Sequence, residues 1–464
     1  MKEAVIIGGG ISGLSTAYRL VHDHGIDTVV LEAEKRTGGK ARTEIDNGFI
    51  TEAGTNGWLD KEPEVGILLG DLNIVDKIQP SDDAATHRFI YRQGRLHELF
   101  MHPLKFMTGS ALPLSARLRV ACEPLIPKKQ FDSDETLADF AARRLGKSAR
   151  DLLIGPMAFG VYAGDPSQMS LQSCFGKVHA LEKKYGGLIK GMIALKKEKK
   201  RSGEDPSAVQ AGPSGRLTSL KGGMQDLVDA LSAQLQDRIF KDVEVRAIRR
   251  IENGFVVESH GCAPIETKCI VSAAPAWAAA NYLASLDADV AAAFAAIPYP
   301  HLSVVCLGFN KSEIQHDLNG FGFLVPRGQG LTILGSLWTS TIFPGRAPDG
   351  NVLIRTMIGG MIEPQVAEWD DNTMIDTVRR ELEVILGISA TVPTTLRKVY
   401  RHAQAIPQYH VGHNELLMRI AAAEKRHPGF FATGNAIKGI GVVDCIRESK
   451  PTADRIVESI RRSQ

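Results

Sequence analysis

The sequence predicts an α/β fold built around a discontinuous nucleotide-binding domain, on three observations. The chain opens with a strand, a glycine turn and a helix. Glycine turns beside apolar strands and helices return at two later places. Between these returns lie two inserted segments, one helix-rich and one with alternating strand patterns.

Residues 4–7 form a short apolar run of the kind a buried parallel strand needs. Gly8 permits a sharp turn, Gly10 leaves room for a pyrophosphate, and Gly13 lets the next helix approach the sheet. Leu14, Ala17, Tyr18 and Val21 repeat at helical spacing over about residues 12–22. The start of that helix, at Ile11 and Ser12, presents free amides and a positive dipole end to phosphate. Residues 27–31 read as the second strand. Glu32 closes it, with Ala33 next, where an acid accepts hydrogen bonds from ribose hydroxyls and repels a 2′-phosphate. The run Gly38-Gly39-Lys40-Ala41-Arg42 then supplies a second glycine turn, whose amides can lie along the flavin end of the same pyrophosphate. Together these features point to FAD and to a Rossmann-like domain.

The first return is Leu220-Lys221-Gly222-Gly223-Met224, read as a second cofactor signal. It precedes a helix with Leu227, Ala230, Leu231 and Leu235 on one face. Strand patterns follow at residues 243–245, 255–257 and 269–274, and Val243 joins the predicted cofactor set. The last return is a strand over 429–433, then Gly434-Asn435, then Gly439-Ile440-Gly441-Val442-Val443 opening a helix to about residue 460. A glycine-led helix start suits the ribityl chain and the negative edge of a reduced flavin.

The expected organisation is an FAD-binding domain from residues 1–85, 216–285 and 394–464. An α+β substrate domain takes 86–99 and 286–393, a helical insertion 100–201, and a mobile loop rich in Gly, Pro and Ser 202–215. The second strand-rich segment is expected to form a mixed or antiparallel sheet that floors the substrate site.

Composition narrows the function. The 464 residues are 44% hydrophobic and 23% charged, with a formal net charge of +2. That balance gives no case for a nucleic-acid partner. Six cysteines without a Cys-x-x-Cys pair fit buried thiols in a reducing compartment better than a disulfide frame or zinc site. His410 and His413 share a face but lack further ligands at metal spacing, so no metal is expected. The adjacent acids Asp82-Asp83 and Asp370-Asp371 read as caps or solvated turns. No apolar run reaches the roughly 18 residues that span a bilayer. The basic run 196–201 is either a solvated helix end or a contact for anionic lipid. No second Gly-x-Gly-x-x-Gly sits in a strand–turn–helix setting, which favours an oxidase reoxidised by dioxygen or a quinone. No acid–base constellation stands out, and no catalytic side chain is assigned.

The chain resembles the protoporphyrinogen oxidases over essentially its whole length. The resemblance rests on Gly160-Val161-Tyr162-Ala163-Gly164-Asp165, Gly320-Phe321-Gly322-Phe323-Leu324-Val325-Pro326, Ala405-Ile406-Pro407-Gln408-Tyr409 and Gly439-Ile440-Gly441-Val442-Val443-Asp444-Cys445-Ile446. It implies noncovalent FAD and the six-electron oxidation of protoporphyrinogen IX to protoporphyrin IX in haem synthesis. Hydride would pass from the macrocycle to flavin N5, with dioxygen as acceptor giving hydrogen peroxide. It further implies that Arg88 pairs a substrate propionate, that Phe321 and Leu324 sandwich a macrocycle ring, that Gly160 offers backbone, Met357 an apolar wall and Asn56 a polar neighbour. Without the resemblance, Arg88 reads as surface and Phe321 and Leu324 as core. Family members often carry Gly-Pro-Asn where this chain has Gly54-Thr55-Asn56. The implied setting is cytoplasmic and peripheral on the inner face of the plasma membrane, with handover to a ferrochelatase and a homodimeric assembly. Coproporphyrinogen III oxidation, flavin amine oxidation and non-catalytic FAD binding are the competing readings. A single clear cationic anchor, Arg88, favours protoporphyrinogen over the four-propionate substrate.

Overall fold

The computed structural model describes residues 1–100, 102–130, 133–202 and 215–462. The strand Lys2–Ile7 lies within a seven-stranded sheet, parallel to Thr28–Leu31 on one side and Ile265–Ser272 on the other. Ala4, Val5 and Ile6 are fully buried, which is why this strand is continuously apolar. Ile239–Phe240 extends the sheet beyond Thr28–Leu31, and Phe430–Ala432 adds in parallel to Ile265–Ser272. The antiparallel strands Glu244–Ile251 and Gly254–His260 complete it. Strands from three distant stretches of chain therefore share one sheet.

Every residue of the helix Ile11–Tyr18 is buried, and a π-helical turn, Arg19–Asp23, continues it. The helix packs on the long C-terminal helix Val442–Arg462. That helix buries Ile446, Ala453, Ile456, Val457 and Ile460 along one stripe, as its 3.6-residue apolar period requires.

The second sheet also has seven strands. Their order is Thr394–His402, Leu302–Asn310, Asn351–Gly359, Ile333–Trp338, Gly322–Leu324, Arg88–Arg92, Arg95–Glu98. All neighbours are antiparallel except Gly322–Leu324 with Arg88–Arg92, which run parallel. The sheet is mixed, as the alternating patterns predict. The helix Asp371–Leu386 covers one face through Met374, Val378 and Leu382.

Two sequence expectations need correction. Thr394–His402 is an edge strand of this second sheet, paired with Leu302–Asn310, beyond the boundary expected at residue 393. It buries Leu396 and Tyr400 against Phe49 and Ala53. The Gly222-Gly223 turn is not a cofactor loop. The strand before it, Leu217–Leu220, pairs with Trp58–Leu59 and Ile78–Pro80 in a separate three-stranded sheet. Gly223 has φ of 90°, and a Cβ there would lie 2.4 Å from Thr43. This close approach lets the Met224 N–H reach the Glu52 carboxylate at 2.9 Å. Glu52 also accepts from the Thr43 hydroxyl at 2.8 Å and pairs with Arg346 at 3.2 Å. The turn thus belongs to a buried polar joint between the sheets.

Residues 103–202 form the helical insertion, from Pro103–Thr108 to Leu188–Ser202. At its centre Arg144 pairs with Glu123, both fully buried. Glu123 also accepts from the N–H groups of Leu188 and Ile189, at 2.8 and 3.1 Å, near the start of the last helix. Such a pair tolerates burial because most of its remaining positions are filled, the Arg144 Nη atoms donating to the Ile126, Pro127 and Gly186 carbonyls while Nε stays without an acceptor. The predicted mobile loop over 202–215 lies outside the described residues except at its two ends. Among the described residues no helix is long and apolar enough to cross a membrane.

Candidate functional site

A cavity of about 2870 Å³ runs from the first sheet, past the second, into the helical insertion. A pocket for one drug-sized ligand is about 300–1,000 Å³, so the space suits more than one ligand.

The nucleotide end is built from backbone. Gly8 turns the chain with φ of 109°, and a Cβ on Gly13 would lie 1.9 Å from the Gly8 carbonyl oxygen. Only glycine allows that approach of helix to strand. Gly10 has open space where a Cβ would stand and is the N-cap of the helix, with no side-chain cap. Its helix start, Ile11 and Ser12, faces the cavity with Gly8 and Gly10. Gly38 bridges to Gly10, and its N–H donates to the Gly9 carbonyl at 2.8 Å. The two glycine turns are thereby locked side by side. Gly38, Gly39, Lys40 and Ala41 all line the cavity.

Glu32 is 8% exposed and also lines the cavity, with Ala33. Its Oε2 accepts from the Gly9 N–H at 2.7 Å, and its Oε1 from the Glu34 N–H at 2.8 Å. Burial pushes its pKa up, while those two amides pull it down. Val243, Asn435, Gly441 and Val442 stand on the same wall. A dinucleotide fits this wall: uncapped helix amides, a carbonyl-free opening at Gly10, and a carboxylate beyond them. Cys445 is the cysteine on the cavity wall. Burial pushes its thiol to about 11, which keeps it protonated and unsuited to covalent flavin attachment.

Four predicted cofactor residues lie off the wall. Gly13 serves the helix–strand approach described above. Arg42 pairs with Glu44 and stands over the Tyr400 ring, 5.9 Å from its centroid. Gly434, with φ of 103°, backs onto Ser12, where a Cβ would lie 3.7 Å from the hydroxyl oxygen. Val443 packs into the core beneath the first sheet.

The second region brings the predicted substrate residues together with one exception. Arg88, Gly160, Phe321, Leu324 and Met357 all line the cavity. Arg88 and Phe321 are joined by strand pairing, since Arg88 is registered with Gly322. The Arg88 guanidinium lies over the Phe321 ring, 4.9 Å from its centroid. Burial depresses the Arg88 pKa, and no carboxylate among the described residues pairs with it. Gly160, on the helix Gly155–Tyr162, meets Leu324: a Cβ there would lie 2.6 Å from Cδ2. Met357 joins Phe159, Leu302 and Leu334 in the apolar wall. Asn56 is the exception. Its side chain is enclosed off the cavity wall, with neither Oδ1 nor Nδ2 hydrogen-bonded.

Sequence reasoning overlooked three features of the wall. Arg355 and His402 line the cavity. The alternation Arg355-Thr356-Met357 was the available signal for Arg355, because residues two apart in a strand share a face. The helical insertion contributes a long apolar annex that includes Phe106, Phe140, Phe175 and Leu188. Basic side chains, Lys61, Lys177, Lys184, Lys199 and Arg216, also border the cavity.

His410 and His413 do not form a metal site, and no metal-binding cluster occurs among the described residues. His413 stacks on Tyr409 with ring centroids 4.2 Å apart. Asp82 and Asp370 are helix caps, accepting from the N–H groups of Ala84 and Thr373. The described cysteines are all free thiols.

Comparison with known proteins agrees with this geometry. Residues 11–457 match the family described as flavin containing amine oxidoreductase. The chain is 30% identical to the chloroplastic protoporphyrinogen oxidase of Oryza sativa subsp. japonica, covering 99% of this chain and 89% of that protein. It is 27% identical to coproporphyrinogen III oxidase of Bacillus subtilis, covering 97% and 96% respectively. A solved structure from Exiguobacterium sp. 255-15 superposes with a TM-score of 0.83 at 24% identity, covering 100% of this chain and 99% of that one, and supports the fold. The chain belongs to the flavin containing amine oxidoreductase family.

Proposed function

We propose that this chain is an FAD-dependent oxidase that converts protoporphyrinogen IX to protoporphyrin IX. The observation that carries the reading is Arg88, a half-buried guanidinium that rests on Phe321 with no carboxylate partner among the described residues, beside an apolar slot formed by Gly160, Leu324 and Met357. A largely apolar macrocycle with acidic side chains matches that slot, and Arg suits a bidentate carboxylate contact.

Bound FAD supplies the hydride acceptor. The protein's part is placement. The two glycine turns and Glu32 would hold the nucleotide end, and the cavity continues from them to the slot. Leu324 and Phe321 hold the macrocycle by its faces, Met357 excludes water from one side, and Arg88 sets its orientation. Correct placement of two reactants supplies a large share of such a barrier. We assign reoxidation to dioxygen, with hydrogen peroxide as product.

A second reading, coproporphyrinogen III as substrate, draws on the basic border of Lys61, Lys177, Lys184, Lys199 and Arg216, since that substrate has four carboxylates. We place these cations in a second role, contact with an anionic membrane surface. Leu104, Leu114, Leu118 and Leu125 of the helical insertion are all more than half exposed, and exposed apolar side chains with basic ones are what peripheral binding to an anionic surface requires. A flat apolar product released there suits direct handover to a ferrochelatase. The test is the rate of porphyrin fluorescence appearance from each porphyrinogen; faster oxidation of the copro form would reverse the assignment.

A further inference from the structure

Positive charge gathers on the floor of the cavity, and no carboxylate among the described residues forms an ion pair with it, although the fields of Glu52 and Glu34 reach it. Arg355 sits on the strand Asn351–Gly359, two residues before Met357, and is 6% exposed. Its Nε donates to the Glu52 carbonyl at 3.2 Å and its Nη2 to the Gly54 carbonyl at 2.5 Å. Its Nη1 meets the Met357 sulfur at 3.6 Å. These acceptors are all neutral. The Glu52 carboxylate is engaged elsewhere, by Arg346, Thr43 and the Met224 N–H.

Lys40 and His402 stand beside it. Lys40 makes no ion pair among the described residues, and its ammonium lies 5.8 Å from the Tyr299 ring centroid. Burial lowers its pKa to about 8. His402 donates from Nε2 to the Ala53 carbonyl at 2.9 Å. Burial depresses its pKa, with Lys40 and Arg355 adding to the effect. Arg355 and His402 converge on Gly54 and Ala53, Lys40 adjoins Gly54 through its backbone and Cβ, and all five residues line the cavity. Gly54 is pressed against the second glycine turn, since a Cβ there would lie 2.3 Å from the Lys40 carbonyl oxygen. The convergence therefore lies next to the second glycine turn, Gly38-Gly39-Lys40.

A buried guanidinium whose hydrogen bonds all go to neutral acceptors, with its nearest carboxylate bonded elsewhere, is costly. An anion brought into the cavity would offset that cost. A neutral flavin ring that takes up two electrons and one proton acquires one negative charge. We propose that Arg355, supported by Lys40, is the electrostatic floor that favours the reduced, negatively charged flavin and raises its reduction potential. This rests on the FAD reading above. Charge near the ring is one of the ways a protein tunes a flavin. Arg355 acts by its field on the cofactor, so charge matters more than its hydrogen bonds to Glu52 and Gly54.

The test uses purified, FAD-loaded protein and the variants Arg355→Met, Arg355→Gln and Arg355→Lys. The readouts are the flavin midpoint potential, by equilibration with a reference dye, and the affinity for sulfite, an anion that adds to oxidised flavins. Loss of charge in Met or Gln lowers the equilibrium constant for reduction at least tenfold, about 30 mV for a two-electron couple. It weakens sulfite binding by a similar factor, while Lys keeps both near native. Gln retains a donor for the carbonyls, so it carries the test if Met does not fold. A flavin-loaded Arg355→Gln protein with native potential and native sulfite affinity overturns the proposal alone. Equal losses in Gln and Lys also overturn it, because the effect then follows geometry and not charge. A raised KM for porphyrinogen at unchanged potential assigns Arg355 to substrate binding instead. Native protein that binds no FAD overturns the cofactor reading and this proposal together.

Discussion

The guanidinium of Arg88 rests on the Phe321 ring, 4.9 Å from its centroid, and both residues face the cavity. The parallel pairing of Arg88–Arg92 with Gly322–Leu324 creates this contact from residues more than two hundred positions apart. A cation–π contact contributes about 0.5–2 kcal/mol, less than full desolvation of a guanidinium costs. On the proposed reading, a substrate carboxylate would complete the pairing.

Arg88→Ala is therefore expected to raise KM for the porphyrinogen by about 10- to 100-fold, the equivalent of about 1.5–3 kcal/mol for a charged hydrogen bond. FAD stays bound and kcat changes less. Steady-state kinetics alongside the flavin absorbance of the purified variant check this. Release of FAD would remove the anchoring role.

Glu32→Ala is expected to weaken FAD binding about tenfold or more, through loss of a charged acceptor for ribose and release of the Gly9 and Glu34 amides it holds. Titration of apoprotein with FAD, followed by quenching of flavin fluorescence, gives the constant. An unchanged value counts against the ribose role.

Gly160→Val tests the slot. A Cβ would press Leu324 Cδ2 at 2.6 Å, at the slot that the proposed reading gives to the macrocycle. Overpacking of this kind costs about 1–3 kcal/mol of stability, so the variant folds and binds FAD. Its kcat/KM is expected to fall more than tenfold, by the same scale of misplacement. Unaltered kcat/KM would move the macrocycle away from Gly160.

His413 gives a pH signature. It is 2% exposed, with neither ring nitrogen hydrogen-bonded, and burial holds its pKa at about 4. The ordinary value is about 6.5, so between roughly pH 6.5 and 4 the unfolded chain binds the proton first. Stability then falls as pH drops through that window, by about 3 kcal/mol at most. Phe keeps the stack on Tyr409 and cannot titrate. The native chain should lose thermal stability relative to His413→Phe as pH falls from 7 to 4.5. Parallel curves for the two proteins would contradict the buried neutral histidine.

The two glycine turns were legible because their chemistry is local. A positive φ at Gly8 and an open position at Gly10 are written into residue identity and short spacing. The same local chemistry misled at Gly222-Gly223, because a glycine turn serves any close approach, here Gly223 against Thr43. The edge strand Thr394–His402 was placed in the wrong domain because alternation identifies a strand without naming its partner. Arg88, Phe321 and Leu324 needed the family resemblance, since nothing local separates a wall residue from a core one. Arg355, His402 and the Glu52–Arg346 joint went unseen for a related reason. Each depends on long-range pairing that brings residues 52–54, 346, 355 and 402 together.

The central claim is tested most directly by mixing FAD-loaded protein anaerobically with each porphyrinogen and following the flavin absorbance. Protoporphyrinogen IX should bleach the flavin faster than coproporphyrinogen III, and admission of air should restore the yellow colour as porphyrin fluorescence grows. A flavin that stays oxidised with both, or bleaches faster with coproporphyrinogen III, would contradict it.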